Sequence, residues 1–227
     1  MIKILYSDES ILIIDKPTGV RSIADGYLVE QPHLRTLLEP EFGRLWIVHR
    51  LDKETSGVMV LARSISAHHL LNDQFANRQI KKQYKTLVFG KFPSSLQVAS
   101  ALKVNGDRSH RTVVNDLIGK KALTDFALIE IIGGKTSFLS VYPHTGFTHQ
   151  IRAHLLSVNF PILADPLYSS LASRQFSQTL PIHRTALHAY SITFEHPASG
   201  EQVTFTANLP DDFQYTLDFL NQTGHPD

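Results

Sequence analysis

The stretch TDFALIEIIGGKTSFLSVYP, residues 124–143, most constrains what this chain can fold into. Two runs rich in β-branched and aromatic residues flank Gly133 and Gly134, and a glycine pair between such runs signals a tight hairpin. A lone hairpin is marginal in water, so the pair must belong to a larger sheet. Other segments can supply it. IKILYSDESILIIDKPTG, residues 2–19, reads as a strand, a polar turn around residues 7–10, and a second strand closed by Pro17 and Gly19. Residues 58–62 form a continuous apolar run of strand length, QYKTLVFG reads as a strand, and ALHAYSITFEHPASGEQVTFTA reads as a second hairpin with a Pro/Gly turn. Helices fall between them. Ser64 can cap a helix running to about Arg78, with Ala67, Leu70, Leu71 and Phe75 on one face. Thr148 can cap another that carries Ile151, Leu155 and Val158 and ends near Asn159. Pro210, Asp211 and Asp212 open a C-terminal helix bearing Phe213, Leu217 and Leu220. Residues 92–121 are the least regular part and read as a surface loop or an excursion of short strands. Hairpins with interspersed helices predict an α+β fold with a largely antiparallel or mixed sheet.

The 227 residues can bury a substantial core, and no linker, repeat or low-complexity tract divides them. The chain has no cysteine, which excludes a disulfide framework and thiol chemistry and leaves any metal site to His and carboxylates. Apolar runs near the N-terminus are too short and too interrupted by acids for a signal peptide or a membrane span, and a cytoplasmic location is expected. A net charge of +1 gives no bulk argument for a nucleic-acid partner. Local basic clusters exist at Lys81, Lys82 and Lys85, at Arg108, His110 and Arg111, and at Lys120 and Lys121; taken singly, each reads as a solvated face.

Four polar groups sit where the pattern calls for apolar residues or simple loops. His49, Arg50, Asp52, Thr55 and Ser56 precede Gly57 between two apolar runs. A carboxylate beside an Arg at the mouth of a buried strand stays ionised and can act as nucleophile or base. A structural ion pair accounts for Arg50 and Asp52 but leaves the His, Thr, Ser and Gly unexplained. PHTGFTHQIRAH, residues 143–154, holds three His and Arg152 across a strand end and a helix start. Metal binding there is disfavoured, because His149 and His154 are five apart and neighbours on a helical face are three or four apart. Tyr84 begins a strand just after Lys81 and Lys82, and Asp165 lies between apolar residues in PILADPLY. Asp52 and Glu54 are too close in sequence to be assumed a facing pair of carboxylates and no other pairing stands out, and no Gly-x-Ser-x-Gly elbow and no phosphate-loop or dinucleotide signature is present. The residues alone therefore describe a cleft with one central carboxylate, an Arg and a Tyr.

At these residues the chain resembles the RluA-type pseudouridine synthases, which isomerise uridine in structured RNA. HRLDKETSG at residues 49–57 is similar to that family's signature around its catalytic aspartate. DKPTG, KKQYKTLVFG, TGFTHQIRAHL, PILADPLY and ALHAYSITFEHPASGE follow in the family's order, from about residue 2 to about residue 213. The resemblance implies a mixed, mostly antiparallel sheet in two halves flanked by helices, with a central active-site cleft. It implies one catalytic domain over residues 1–227, without the small N-terminal RNA-binding domain that some members carry. Asp52 would be the catalytic carboxylate, Tyr84 the tyrosine that packs on the target base, and Arg152 the cation that pairs with Asp52. Arg50 would hold the RNA open at the flipped nucleotide and Leu163 would wall the uracil pocket, with His49, Thr148 and Gln150 as further substrate-binding residues. Lys81, Lys82, Arg108 and Arg111 become candidate phosphate contacts. The implied partner is structured ribosomal or transfer RNA, met by a monomer with no cofactor, no metal, no membrane and no obligate protein partner. Two departures stand out: Phe147 occupies a place where the family usually has Arg or Lys, and Ala164 one where it usually has Gly. An RNA-binding module that makes no pseudouridine is the competing reading, and the presence of every expected catalytic side chain argues against it.

Overall fold

The computed structural model describes residues 2–24 and 31–223. In chain order its elements are β1 (Lys3–Ser7), β2 (Ile11–Lys16), α1 (Leu34–Phe42), β3 (Trp46–Ile47), β4 (Ser56–Ala62), α2 (Ile65–Ala76), β5 (Lys81–Phe89) and β6 (Ser95–Lys103). There follow β7 (Val113–Val114), β8 (Lys120–Ile132), β9 (Thr136–Pro143), α3 (Gln150–Ser157), α4 (Leu171–Ser177), β10 (Leu187–Glu195), β11 (Gln202–Thr206) and α5 (Asp211–Thr223). Strands with flanking helices make this an α+β protein, as the alternation of hairpins and helices predicts. The chain forms two compact units, Met1–Lys82 with Ala189–Asn208, and Gln83–His188 with Leu209–Asp227. β5 and β10 each run from one unit into the other.

In the first unit the strand order is β1-β2-β4-β10, with β3 on β4 and β11 on β10. Ile11, Leu12, Ile13 and Ile14 have no exposed surface, and all seven residues of β4 are buried. A strand buried on both faces reads as a continuous apolar run rather than an alternating one, which is why residues 58–62 carry no polar residue. α2 starts where its cap predicts, since Ser64 Oγ accepts from the Ala67 N–H at 3.2 Å. The two-residue β3 pairs with Leu61 and Ala62 and then stops. His49 completes the ladder: its Nε2 accepts from the Val60 N–H at 3.1 Å, and its ring stacks on Phe75 at 4.9 Å. Burial, reinforced by the Lys82 charge, pushes the His49 pKa down to about 3. The imidazole is therefore neutral, with its proton on Nδ1.

In the second unit the order is β5-β9-β8-β6-β7. The β8–β9 hairpin is the one predicted, lengthened at its start to Lys120. Of the two expectations for residues 92–121, a surface loop or an excursion of short strands, the structure shows strands, and β6 is longer than expected. It is a nine-residue strand paired with β8 from Ser95↔Ala127 to Leu102↔Lys120, and Leu96, Val98 and Leu102 supply the inward positions of a two-residue period. The main core gathers Leu87, Val88, Phe126, Leu139, Val141, Leu155, Phe213 and Leu220. α5 is fastened at its first turn, where Arg184 meets both oxygens of Asp212, Nε to Oδ2 at 2.6 Å and Nη2 to Oδ1 at 2.9 Å. α3 departs from its predicted cap. Its N-cap is His149 in the left-handed region at φ 56°, with no side-chain cap bond, and Thr148 lies outside. Gln150, the first residue of the helix, ties down the turn before it, its Oε1 accepting from the Phe147 N–H at 3.1 Å. His154 of α3 is wholly buried, bonded through Nδ1 to Thr124 Oγ1 at 2.9 Å, and desolvation lowers its pKa to about 4. Among the described residues no helix is long and apolar enough to cross a membrane.

Two expectations follow from this frame. Ala164 has φ 55°, the left-handed region that costs a residue with a Cβ about 1–2 kcal/mol. Ala164→Gly removes that strain against a smaller entropic loss in the unfolded chain, and should stabilise by about 0.5–1 kcal/mol. Differential scanning should find the midpoint raised by about 1–3 °C. His49 and His154 are held below their unfolded pKa, so the unfolded chain binds more protons between pH 6.5 and about 4. Their contribution is complete above pH 6.5 and is lost as the pH falls, on the order of 1–2 kcal/mol for each by pH 5. Urea titrations at pH 7.5 and 5.0 should show the loss, and His154→Gln should flatten the slope.

Candidate active site

In the first unit, Asp52 is half-buried on the loop between β3 and β4, and the residues around it are fastened in place. Lys16, at the end of β2, has no exposed surface, and its ammonium donates to the carbonyls of Pro17 and Val20 at 2.9 Å and of Lys53 at 3.2 Å. The Gly19 N–H donates to the same Lys53 carbonyl at 2.9 Å, and Thr18 Oγ1 donates to the Glu54 carbonyl at 3.2 Å. On the other side of Asp52, Ser22 Oγ donates to the Leu51 carbonyl at 2.8 Å and accepts from the Leu51 N–H at 3.0 Å. The Thr55 N–H closes the turn on the Asp52 carbonyl at 3.1 Å. Just inside β4, Gly57 has φ 120°, and a Cβ there would lie 2.6 Å from the Ala189 nitrogen, so only glycine lets the two backbones approach. The DKPTG segment thus serves as a mould for the aspartate loop. Arg50 is exposed beside it, and His49 is a neutral structural histidine.

In the second unit the centre is α3. Arg152 is buried and binds Asp165 through two parallel bonds, Nε to Oδ2 at 2.7 Å and Nη2 to Oδ1 at 2.8 Å. The fork geometry fixes both distance and plane of the guanidinium. Asp165 Oδ1 also accepts from the N–H groups of Leu167 and Tyr168, each at 2.9 Å. The guanidinium carbon lies 4.8 Å from the centroid of the Tyr168 ring, a cation–π contact. Tyr168 is pinned in turn, its hydroxyl accepting from the Thr112 N–H at 2.6 Å and bonding His149 Nδ1 at 3.1 Å. Burial is the main reason its phenol is pushed above the ordinary value. Gln150 has its amide filled by the protein: Oε1 accepts from Thr145 Oγ1 and Phe147 N–H, and Nε2 donates to the Leu123 carbonyl and Thr124 Oγ1. Tyr84 is half-buried on β5, opposite Val141. Thr148 is half-buried and its carbonyl accepts from Thr112 Oγ1 at 2.7 Å. Leu163 has no exposed surface and belongs to the main core, with its N–H on the Leu87 carbonyl and its carbonyl on the Ala186 N–H.

The four expected phosphate contacts divide. Lys81 and Arg108 are exposed. Lys82 is partly buried, and desolvation brings its ammonium down to about 8. Arg111 is used internally, with Nε on Asp107 at 2.7 Å and Nη1 on the Leu167 carbonyl at 3.0 Å. The histidines of the segment before α3 also have other work. His144 bonds Asp125 at 2.6 Å, His149 bonds Tyr168, and His154 bonds Thr124. Among the described residues no three His, Cys, Asp or Glu side chains group as a metal site would require. Sequence reasoning left Lys16, Thr112 and Tyr168 unassigned and gave Asp165 no role. The signals are a lysine closing a strand that opens with four apolar residues, and an Asp and Tyr three apart inside an apolar segment.

A family model described as RNA pseudouridylate synthase matches residues 10–157. The chain is 34% identical to "Ribosomal large subunit pseudouridine synthase D" of Zymomonas mobilis, over 96% of its own length and 73% of that protein's. It is 35% identical to "Dual-specificity RNA pseudouridine synthase RluA" of Escherichia coli O157:H7, over 92% and 93%. Among solved structures, "Human RNA Pseudouridylate Synthase Domain Containing 1" superposes with a TM-score of 0.78 at 25% identity, covering 100% of this chain and 97% of that one. Sequence and fold agree over nearly the whole length, and the chain is therefore an isomerase of the RNA pseudouridylate synthase family.

Proposed function

We propose that the protein converts a specific uridine of folded ribosomal or transfer RNA to pseudouridine, with Asp52 as the catalytic carboxylate. The observation that carries this reading is the fixed loop around Asp52, whose neighbours Leu51, Lys53, Glu54 and Thr55 are all tied to the protein. Such bracing holds a reactive group in place before substrate arrives. The reaction breaks the C1'–N1 bond, turns the uracil and joins C5 to C1'; the proton lost from C5 is matched by one gained at N1, and nothing is oxidised or hydrolysed. Asp52 either adds to base or sugar or takes the proton. Tyr84 stacks on the base and can relay that proton. Arg152 supplies the cation of the reaction. Asp165 and Tyr168 fix the plane of the Arg152 guanidinium. Uridine in a helix is out of reach, so the nucleotide is flipped, with Arg50 at the gap.

Within this scheme His49 and Gln150 act through the backbone they brace, and Leu163 acts as packing behind the pocket. The name of the Zymomonas mobilis relative favours ribosomal large-subunit RNA as the substrate class, and the dual specificity named for the Escherichia coli relative keeps a second RNA beside it. With folded RNA as substrate, the protein works in the cytoplasm as a monomer.

Asp52→Asn should cut pseudouridine formation by roughly 10²–10⁴-fold or more while circular dichroism and RNA binding stay unchanged. Substantial turnover by this variant on transcripts that the wild type modifies would refute the assignment. Asp165→Ala strands a buried guanidinium, so its unfolding free energy should drop by about 3–5 kcal/mol, with Asp165→Glu between it and the wild type. Denaturant titration of the three proteins checks the order.

A further inference from the structure

Leu117 and Ile118 are 96% and 65% exposed, in the turn of residues 115–119 that joins β7 to β8. The turn is built to hold them out. Asn115 Oδ1 accepts from the Leu117 N–H at 3.1 Å and from the Ile118 N–H at 3.2 Å, and the Gly119 N–H returns to the Asn115 carbonyl at 2.8 Å. The base is tied to β6, where the Asn115 N–H donates to the Ala101 carbonyl at 2.8 Å and the Ala101 N–H donates to Asp116 Oδ1 at 3.2 Å. Gly119 lies flat on that strand: a Cβ would sit 2.8 Å from the Leu102 nitrogen. A single exposed leucine is ordinary on a protein surface. Two large apolar side chains at the tip of a braced turn, beside Val114 at 39% exposure, form a patch that asks for a partner.

The surrounding charge says which partner. Residues 103–121 carry Lys103, Arg108, Arg111, Lys120 and Lys121 against Asp107 and Asp116, a net +3 in a chain whose total is +1. Arg108, Lys120 and Lys121 are exposed, and Asp116 is engaged by Ala101. On the same edge a cavity of about 160 Å³ opens among Val113, Val114, Ala153, Leu156 and Tyr168. Apolar wedges that unstack bases, set among cations that hold phosphates, are how proteins grip irregular nucleic acid.

We propose that β7 and the loops on either side of it form a second RNA contact, apart from the reacting residues. Leu117 and Ile118 pack against an unstacked base of the folded substrate, and Arg108, Lys120 and Lys121 meet its phosphates. The proposal rests on the reading of the protein as a uridine isomerase of folded RNA, and names the surface that grips such RNA.

The test uses the full chain, and total RNA from a strain lacking the gene as the probe. Leu117→Ser/Ile118→Ser should raise KM about tenfold, the worth of one lost base contact, with kcat unchanged and the wild-type melting curve retained. Lys120→Gln/Lys121→Gln should reduce the slope of log affinity against log salt by about 2. Wild-type KM and salt slope in both variants would overturn the proposal, as would a fall in kcat at constant KM. A wild-type dimer in sedimentation that the Leu117→Ser/Ile118→Ser variant converts to monomer, with RNA affinity unchanged, would overturn it in favour of a contact between copies. Weakened RNA binding by the variants of a wild type that makes no pseudouridine would support this surface and sink the catalytic reading instead.

Discussion

A lysine ammonium with no exposure to water is the constraint around which the first unit is arranged. Taking a charge out of water costs several kcal/mol even after relaxation, so Lys16 is tenable only where the chain supplies acceptors. It finds the Pro17 and Val20 carbonyls, which forces residues 17–20 to curl over the end of β2, and the Lys53 carbonyl, which draws in the loop after Asp52. The requirement to satisfy one cation thus sets the shape of two loops. A neutral residue at position 16 would leave three carbonyls without this donor and the aspartate loop without its mould.

The second unit solves a similar problem with an ion pair. Arg152 is buried on α3, and Asp165 meets it in a planar fork while also accepting two backbone N–H bonds from the turn that follows. Both oxygens of the carboxylate are employed, so neither charge is left partly satisfied. Tyr168 adds its ring beneath the guanidinium and its hydroxyl to Thr112 and His149. His149 holds left-handed backbone, and its bond to Tyr168 is one of the contacts that steady that conformation. The cation is positioned by a closed set of contacts rather than by a flexible stem.

Local patterns were legible where one element explains itself. The hairpin around Gly133 and Gly134, the Ser64 cap and the opening of α5 each carry their signal within a few residues, and the structure places them there. What escaped depends on partners distant in the chain. β6 hides its period because Ala99, Ala101 and Ser100 blur the contrast between faces, and only pairing with β8 makes it a strand. Thr148 reads as a cap, but the helix starts one residue later at an N-cap His149 whose left-handed backbone no local pattern announces. Lys82 and Arg111 looked like surface cations because charge is visible in sequence and burial is not. The candidate site shows the same division. Asp52, Tyr84 and Arg152 stand out by type and motif, whereas the roles of Lys16, Asp165 and Tyr168 rest on bonds that include residues far along the chain, Lys53, Arg152 and Thr112.

Phe147 shows how one departure from the family pattern can alter a neighbouring surface. Its backbone is held by Gln150, and its ring packs on the small cluster of Leu102, Ala122, Ala153 and Tyr168. An aromatic side chain there contributes apolar burial that an Arg or Lys could match only with its stem, leaving the charged head in water. The cluster lies at the ends of β6 and β8, the strands from which the turn of residues 115–119 is hung. Phe147 therefore adds apolar burial to the base under that turn. The exposed cations of this region, Arg108, Lys120 and Lys121, lie on an adjoining loop and at the start of β8, where solvent reaches them.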